Sequence, residues 1–547
     1  MTPPRVLVIT GGLLTEKDNS LPQVLRKQRQ QSRYASGSWL ETKIKLLTAE
    51  PLIAERLERR ARLGPDLRRR MFSAAESDST PDLTEVVLRT ALREAGIADE
   101  ATTVAALFAD PAGSARLLTR CDCIFLSTTF LRDRSELWPI LDRLAPFGKR
   151  LVLGGPLVSS LHPDWRAHPA VDVLAAGYGE YLVPALADWI HGGFRRLAPP
   201  PGGHCETRGH TTVLFSGAPP GRLLDDLPRP AWETVLDETG SRHIYYESVR
   251  GCPYRCGFCN YPYLFEDDRF RYKSAEKMAE EWEYFVRELG ISSITCLDSL
   301  FTIPRRRLRR FCELLIARGI RVRWLCYARA DDLCDEDTLL LMKAAGLYQV
   351  QIGIESGSQQ QLDNMSKQCS VEANARALEN CRRHGITSVV SLIVGYPGET
   401  SDSLADTLAF LRATPPDFYY LAAFSTRAEG VPVLQADSRA RFGLDVSRDT
   451  HTTAPYWTHH SMDCGEAANR IRELNQRLMS ERVSLNAVLF YRGLGRYRRE
   501  DRAALLYYQQ RVATRHRFTR GIFSLLHRIV DRRLQRDMRQ RLVCSHA

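Results

Sequence analysis

The stretch HIYYESVRGCPYRCGFCN, residues 243–260, places three cysteines, Cys252, Cys256 and Cys259, directly after an apolar run that reads as a β-strand. The spacing is C-x3-C-x2-C. Three thiolates this close suit three irons of a 4Fe–4S cube and leave the fourth iron open for a substrate or cofactor. A zinc site wants a fourth Cys or His at a matching distance, and no second cysteine pair follows. Chance clustering of core cysteines is the bland alternative. The glycines Gly251 and Gly257 and the place at a strand end weigh against it.

Outward from this loop the chain alternates strand and helix. Strand patterns fall at 243–249, 291–297, 321–327, 348–354, 388–394 and 417–424, with helical stretches such as 274–289, 304–317 and 403–413 between them. Six such units predict a partial (β/α)6 barrel over 241–425, with chemistry at the carboxyl ends of its strands. Residues 1–195 read as a second α/β unit. Strands at 5–10, 102–109, 122–128, 150–153 and 171–175 predict a doubly wound, Rossmann-like parallel sheet. Its strand-end loops carry Gly11-Gly12, Ser127-Thr128-Thr129, Gly154-Gly155-Pro156 and Gly177-Tyr178-Gly179-Glu180, where small residues let a bulky ligand approach the backbone. Residues 13–82 read as a mostly helical insertion. Residues 196–240, rich in Pro and Gly, read as a linker, and 426–547 as a small, mostly helical C-terminal domain.

The 547 residues are 44% hydrophobic and 26% charged, which excludes disorder for most of the chain. No apolar run approaches the roughly 20 residues of a membrane span. The N-terminus has no secretory pattern, so a cytoplasmic enzyme without a membrane partner is expected. Fourteen cysteines in that compartment argue for metal binding before disulfides. Much of the net charge of +11 sits after position 510, where ten arginines face two aspartates. A basic helix docked on its own protein is favoured there over a nucleic-acid arm.

The cysteine triplet, with Phe258 before the third cysteine, resembles the signature of the radical S-adenosylmethionine (SAM) superfamily. The resemblance runs through the barrel: Asp298 ends the second strand, Arg329 the third, Glu355 and Ser356 the fourth, and Val394-Gly-Tyr-Pro-Gly-Glu-Thr400 follows the fifth. It implies that Cys252, Cys256 and Cys259 hold the cluster. It also implies that Phe258, Asp298, Arg329, Glu355 and Ser356 surround SAM. A guanidinium suits the methionyl carboxylate, and a carboxylate suits the ribose hydroxyls. No residue is assigned as a catalytic acid or base.

The N-terminal unit resembles the cobalamin-binding domain of class B enzymes of this superfamily. Gly11, Gly12, Ser127, Thr128, Gly154, Gly155, Gly177, Gly179 and Glu180 match its ligand loops. One departure is that no histidine precedes His162, so the first-strand loop offers no imidazole to cobalt. The order of domains implies a cobalamin-dependent methyltransferase that uses methylcobalamin, with SAM as both methyl donor and radical source. Its acceptor would be a small-molecule natural-product precursor and its electron donor an external flavodoxin or similar protein, in antibiotic biosynthesis. Phe301-Thr-Ile-Pro304 and the segment with Trp457, His459 and Met462 are similar to phosphinothricin-type P-methyltransferases. That similarity implies methylation at phosphorus of an H-phosphinate such as N-acetyldemethylphosphinothricin, with those three residues near the substrate. A tryptophan C2-type C-methyltransferase is the nearest rival. A methylthiolating RNA-modifying enzyme would need a second cluster held by three N-terminal cysteines, and the three that precede the signature, Cys121, Cys123 and Cys205, have unsuitable spacing. A pure electron carrier would use four protein ligands.

Overall fold

The computed structural model describes residues 4–12, 63–73, 80–131, 134–166, 168–426, 431–447 and 456–514. The basic tail and most of the 13–82 insertion lie outside these residues.

The N-terminal sheet has seven strands. They are β1 (Arg5–Thr10), β2 (Ala98–Thr103), β3 (Cys123–Ser127), β4 (Arg150–Gly154), β5 (Val173–Ala176), β6 (His204–Arg208) and β7 (Thr211–Phe215). Their order is β2-β1-β3-β4-β5-β7-β6, parallel except where β6 turns back on β7. Alternate side chains of β1 enter two different cores. Leu7 and Ile9 pack with Leu137, Leu141 and Val158, whereas Val6 and Val8 pack with Leu92, Leu186 and Ile190. A strand buried on both faces reads as a continuous apolar run, which is why RVLVIT was legible as one. The order reverses between β1 and β3, so the crevice for a ligand opens outside their carboxyl ends.

Two sequence expectations are corrected here. The second strand is not 102–109. The polar run Ala98–Thr103 forms the edge strand, and apolar Val104–Ala109 is a helix capped by the Thr103 side chain on the Ala106 N–H. The stretch 196–240 is not a bare linker, because its β6–β7 hairpin extends the sheet and Glu233–Thr239 is helical.

The barrel strands are β8 (His243–Tyr246), β11 (Ser293–Cys296), β12 (Arg323–Ala328), β13 (Leu347–Glu355), β14 (Thr387–Val394) and β15 (Phe418–Ala423). Two short strands, β9 (Val249–Arg250) and β10 (Arg271–Tyr272), pair antiparallel beside them. All six predicted barrel strands are present, parallel and in chain order. Helices cover the outer face. Helix Ala275–Arg287, capped by Ser274, buries Met278, Trp282 and Phe285 at helical spacing against Phe311 and Trp324. Each such side chain contributes roughly 1.5–3 kcal/mol relative to exposure.

The C-terminal region mixes helix and strand. Helices Cys464–Ser480 and Arg502–Thr514 accompany a small sheet of β16 (Asp445–Ser447), β17 (Tyr456–His459) and β18 (Met462–Asp463). Strand β19 (Leu485–Asn486) then adds to β15 as a seventh, parallel barrel strand. Helix Pro65–Phe72 of the insertion packs here as well, with Met71 and Phe72 against Phe490 and Tyr508. Helix Leu83–Glu94 joins the two large units: Val86 belongs to the barrel core and Leu92 to the core of the N-terminal sheet.

Candidate active site

The cysteine loop leaves the barrel at the carboxyl end of β8. Gly251 has φ +72°, and a Cβ there would meet the Arg269 carbonyl, so the turn into Cys252 needs glycine. Gly257 abuts the Tyr396 hydroxyl with no room for a Cβ, and its N–H donates to the Met365 carbonyl at 2.9 Å. The Arg255 guanidinium donates to the Cys252 carbonyl at 2.6 Å and to the Asp268 carbonyl at 3.0 Å. Cys256 is buried, while Cys252 and Cys259 are half-buried. Burial pushes all three thiols up, Cys259 to about 11. At Cys256 the positive charges of Lys367 and Arg329 oppose that rise. Among the described residues, no group of three His, Cys, Asp or Glu converges on one point for a single ion. A cube asks for something different, because each thiolate binds its own iron.

Arg329, just past the end of β12, stacks 3.8 Å over the Tyr254 ring. It donates to Asp331 at 3.0 Å and to the Gln368 carbonyl at 2.7 Å. Glu355 ends β13 in the left-handed region, φ +62°, after a register shift between Gly353 and Glu355. A bulge of this kind re-aims a side chain at a site. Here the carboxylate meets Lys367 Nζ at 3.0 Å, and both side chains are buried. Lys367 also lies 5.9 Å from the Phe258 ring centroid. Sequence reasoning missed Lys367, a single lysine in a polar segment whose partner is set by a backbone irregularity. The structure therefore gathers Cys256, Phe258 and Glu355 around Lys367, with Arg329 as a second cation near Cys256.

Other expected residues turn inward. Asp298 is fully buried and accepts from the N–H groups of Ser248 (2.5 Å) and Val249 (2.7 Å) and from the Ser248 hydroxyl (2.8 Å). Burial pushes it up to about 6, against the pull of Arg307. It anchors the turn that launches the cysteine loop. The Ser356 hydroxyl bonds that of Thr407 at 3.1 Å and accepts the Ser358 N–H.

Trp457 and His459 lie on β17 and Met462 on β18. All three are buried, and Trp457 stacks on His459 and donates to the Phe424 carbonyl at 3.2 Å. His459 Nε2 lies 3.3 Å from the Gly395 carbonyl, and burial holds this imidazole below its ordinary range. Together they support the loop after β14.

In the N-terminal crevice, the Thr128 hydroxyl donates to the Gly154 carbonyl at 2.8 Å and accepts the Leu157 N–H at 3.2 Å. The Ser127 hydroxyl bonds that of Thr129 at 2.9 Å. Gly155 (φ +100°) and Gly177 (φ +104°) are required by their own neighbours, since a Cβ would strike Thr128 at one and Ser216 at the other. Gly12 abuts the Phe130 carbonyl, so the β1 and β3 loops touch. Gly11 (φ +79°) makes the turn out of β1, Gly154 closes β4, and Gly179 opens helix Gly179–His191. Thr10 Oγ1, at the end of β1, is buried and has no hydrogen-bond partner among the described residues. Glu180 is not a free ligand group. Its carboxylate is clamped by Arg250, which lies in the barrel unit.

Residues 246–411 match the Radical SAM superfamily. The anaerobic magnesium-protoporphyrin IX monomethyl ester cyclase of Rubrivivax gelatinosus is 28% identical over 355 residues, 61% of each chain. The hopanoid C-3 methylase of Methylococcus capsulatus is 27% identical over 293 residues, 50% of this chain and 53% of the methylase. The present chain thus spans about three-fifths or less of these relatives' lengths. Two solved structures share the fold. The cobalamin-dependent SAM radical enzyme OxsB, with aqua-cobalamin and SAM bound, has a TM-score of 0.59 at 17% identity, covering 83% of this chain and 74% of OxsB. The methyltransferase TsrM from Kitasatospora setae, with cobalamin and a [4Fe-4S] cluster bound, has a TM-score of 0.54 at 17% identity, covering 77% and 75%. The chain thus carries a Radical SAM superfamily domain at residues 246–411, set in a fold it shares with OxsB and TsrM.

Proposed function

We propose that the protein is a cobalamin-dependent radical SAM methyltransferase. The observation that carries this is the placement of the cysteine loop. Cys252, Cys256 and Cys259 stand at a barrel-strand end beside Lys367 and Arg329, on the side that faces the carboxyl-end loops of the N-terminal sheet. Three thiolates and two adjacent cations fit a negatively charged 4Fe–4S cluster. The β1/β3 crevice and the Thr10 hydroxyl, unpartnered among the described residues, fit a bulky polar cofactor such as cobalamin.

When bound, the cluster supplies the electron that cleaves SAM, and cobalamin carries SAM's methyl group. The chain's own part is positioning and charge. Arg329 is placed to pair with the carboxylate of SAM. Glu355, shared with Lys367, is placed to accept a ribose hydroxyl. Phe258 and Tyr396 wall the loop with aromatic edges, their ring centroids 6.3 Å apart.

For the acceptor, the resemblance at Phe301-Thr-Ile-Pro304 supports phosphorus of an H-phosphinate. A different observation favours a carbon acceptor in an aromatic or apolar molecule. Leu297, Tyr327 and Tyr420, from the strand ends of β11 and β12 and from β15, remain 41%, 37% and 45% exposed. Their neighbours Cys296, Cys326 and Tyr419 are buried in the helix-facing core, which puts the exposed leucine and two tyrosines on the opposite, inner face.

The test is anaerobic turnover of protein reconstituted with iron, sulfide and cobalamin, supplied with SAM, a reductant and each acceptor class. Equal amounts of S-adenosylhomocysteine, 5′-deoxyadenosine and methylated product are expected. Phosphorus NMR identifies a new P–CH3 bond. Methylation without 5′-deoxyadenosine favours the tryptophan-type route, and absence of both SAM cleavage and methyl transfer overturns the proposal.

A further inference from the structure

The cysteine loop is tied to the N-terminal domain on both of its sides. Upstream, Arg250 lies two positions before Cys252. Its Nη1 donates to Glu180 Oε2 at 2.9 Å and its Nη2 to Glu180 Oε1, while Nε holds Glu247 at 3.0 Å. Downstream, the segment after Cys259 lies on the loops beyond β4 and β5. The Ser159 hydroxyl donates to the Leu264 carbonyl at 3.0 Å, and His162 Nε2 sits 3.3 Å from Glu266. The Tyr178 hydroxyl donates to Asp267 at 2.9 Å, and its ring stacks on Phe265. The two flanks are themselves joined, because Arg250 and Arg271 are cross-strand neighbours in β9 and β10, and Arg271 binds Asp267.

These ties are dry. The Arg250 and Glu180 side chains are each 7% exposed, so the pair is desolvated and geometrically constrained. The turn that carries Glu180 is equally constrained: the Tyr178 N–H donates to the Ser216 hydroxyl at 2.9 Å, beside a glycine that tolerates no Cβ. A displacement of that turn therefore reaches Cys252 through two side chains, those of Glu180 and Arg250, and two backbone units.

We propose that Glu180, acting through Arg250, is a positioning residue for the cluster loop, so that filling the N-terminal crevice and loading the three cysteines are energetically coupled. This rests on the cobalamin and cluster reading above. Neither residue touches a reacting atom; they fix the direction in which Cys252 is presented. Coupling of this kind is reciprocal, so the cluster strengthens cobalamin binding by the same factor that cobalamin strengthens the loaded loop.

The experiment compares full-length protein with and without its cluster, titrated with hydroxocobalamin. Electron paramagnetic resonance of the dithionite-reduced cluster is recorded at each end point. In the parent, affinity should be tighter by about fivefold or more when the cluster is present, within the usual range of coupling energies. The cluster signal should also shift when cobalamin is added. Glu180→Gln should keep its iron and sulfide and bind cobalamin. Its affinity should no longer depend on the cluster, and its signal should no longer respond. Its kcat should fall ~10-fold or more, with KM for SAM little changed, as expected for misplacement rather than lost binding. Arg250→Lys keeps the charge but not the two-pronged contact and should fall between. If Glu180→Gln does not fold, Tyr178→Phe, which removes only the hydroxyl donated to Asp267, carries the same comparison alongside Arg250→Lys. Full parental coupling in the folded variants overturns the proposal. A parent that binds cobalamin equally with and without cluster overturns the coupling alone. A parent that binds none overturns the proposed function itself.

Discussion

Lys367 sets its ammonium 3.0 Å from Oε1 of Glu355, and the pair is buried beside Cys256. Each charge is tolerable only because the other is there. Lys367→Met leaves the Glu355 carboxylate buried and uncompensated, at a cost of about 3–5 kcal/mol. Urea unfolding of the cluster-free protein checks it. A midpoint within error of the parent would show that the pair does not hold this corner together.

Glu399 supplies a pH signature. Its carboxyl is buried, accepts the Gly395 N–H, and is pushed up to about 8 by desolvation. Between the ordinary carboxyl range and pH 8 the folded state keeps a proton that the unfolded chain has lost. Stability from this group therefore falls as pH rises through that window and levels off above it. Glu399→Gln removes the dependence, so the variant's melting temperature should gain on the parent's between pH 5 and 8. A difference that stays flat across the series would refute the assignment.

Replacing Cys252, Cys256 and Cys259 together by Ala should abolish bound iron and acid-labile sulfide while leaving the circular dichroism spectrum intact. Only Cys256 is buried, and the loop is held by backbone contacts at Gly257 and by Arg255. Full iron content in the triple variant would move the cluster elsewhere.

Arg329→Ala should weaken SAM binding roughly 10-fold to 100-fold, the worth of a charge-assisted hydrogen bond. Calorimetric titration of the reconstituted protein measures it. Unchanged affinity would assign Arg329 to the Tyr254 stack, Asp331 and the Gln368 carbonyl alone.

Trp457→Ala tests whether the 456–462 segment acts as packing or faces the substrate. A buried indole that stacks on His459 and bonds the Phe424 carbonyl should cost about 3–5 kcal/mol on truncation. A variant as stable as the parent but raised in KM for the acceptor would assign this residue to the substrate site.

How far the residues foretold the molecule depended on whether a feature was local. The six barrel strands were legible because short runs rich in apolar residues alternate with helical stretches, and the cysteine triplet because its spacing is itself the chemistry. The edge strand Ala98–Thr103 was misplaced, since ADEATT is polar and the apolar residues that follow it belong to a helix. The β6–β7 hairpin hid between the prolines of 199–201 and of 219–220, and β6 is largely exposed. Lys367 and the Glu180–Arg250 tie were beyond reach for another reason. One depends on a left-handed residue that no periodicity reveals, and the other joins positions 70 residues apart.

The seventh strand decides where this protein can be cut. Leu485–Asn486 covers the rim of β15, and it arrives with Phe490, Tyr508 and the N-terminal helix Pro65–Phe72 packed behind it. A fragment trimmed to the family-matched residues 246–411 would lose both β15 and that cover, baring the backbone of β14 as a template for association. Expression of the catalytic unit should therefore keep the chain at least to residue 514 and retain the helix at 65–72. Shorter pieces are expected in the insoluble fraction, whatever the quality of their cluster loop.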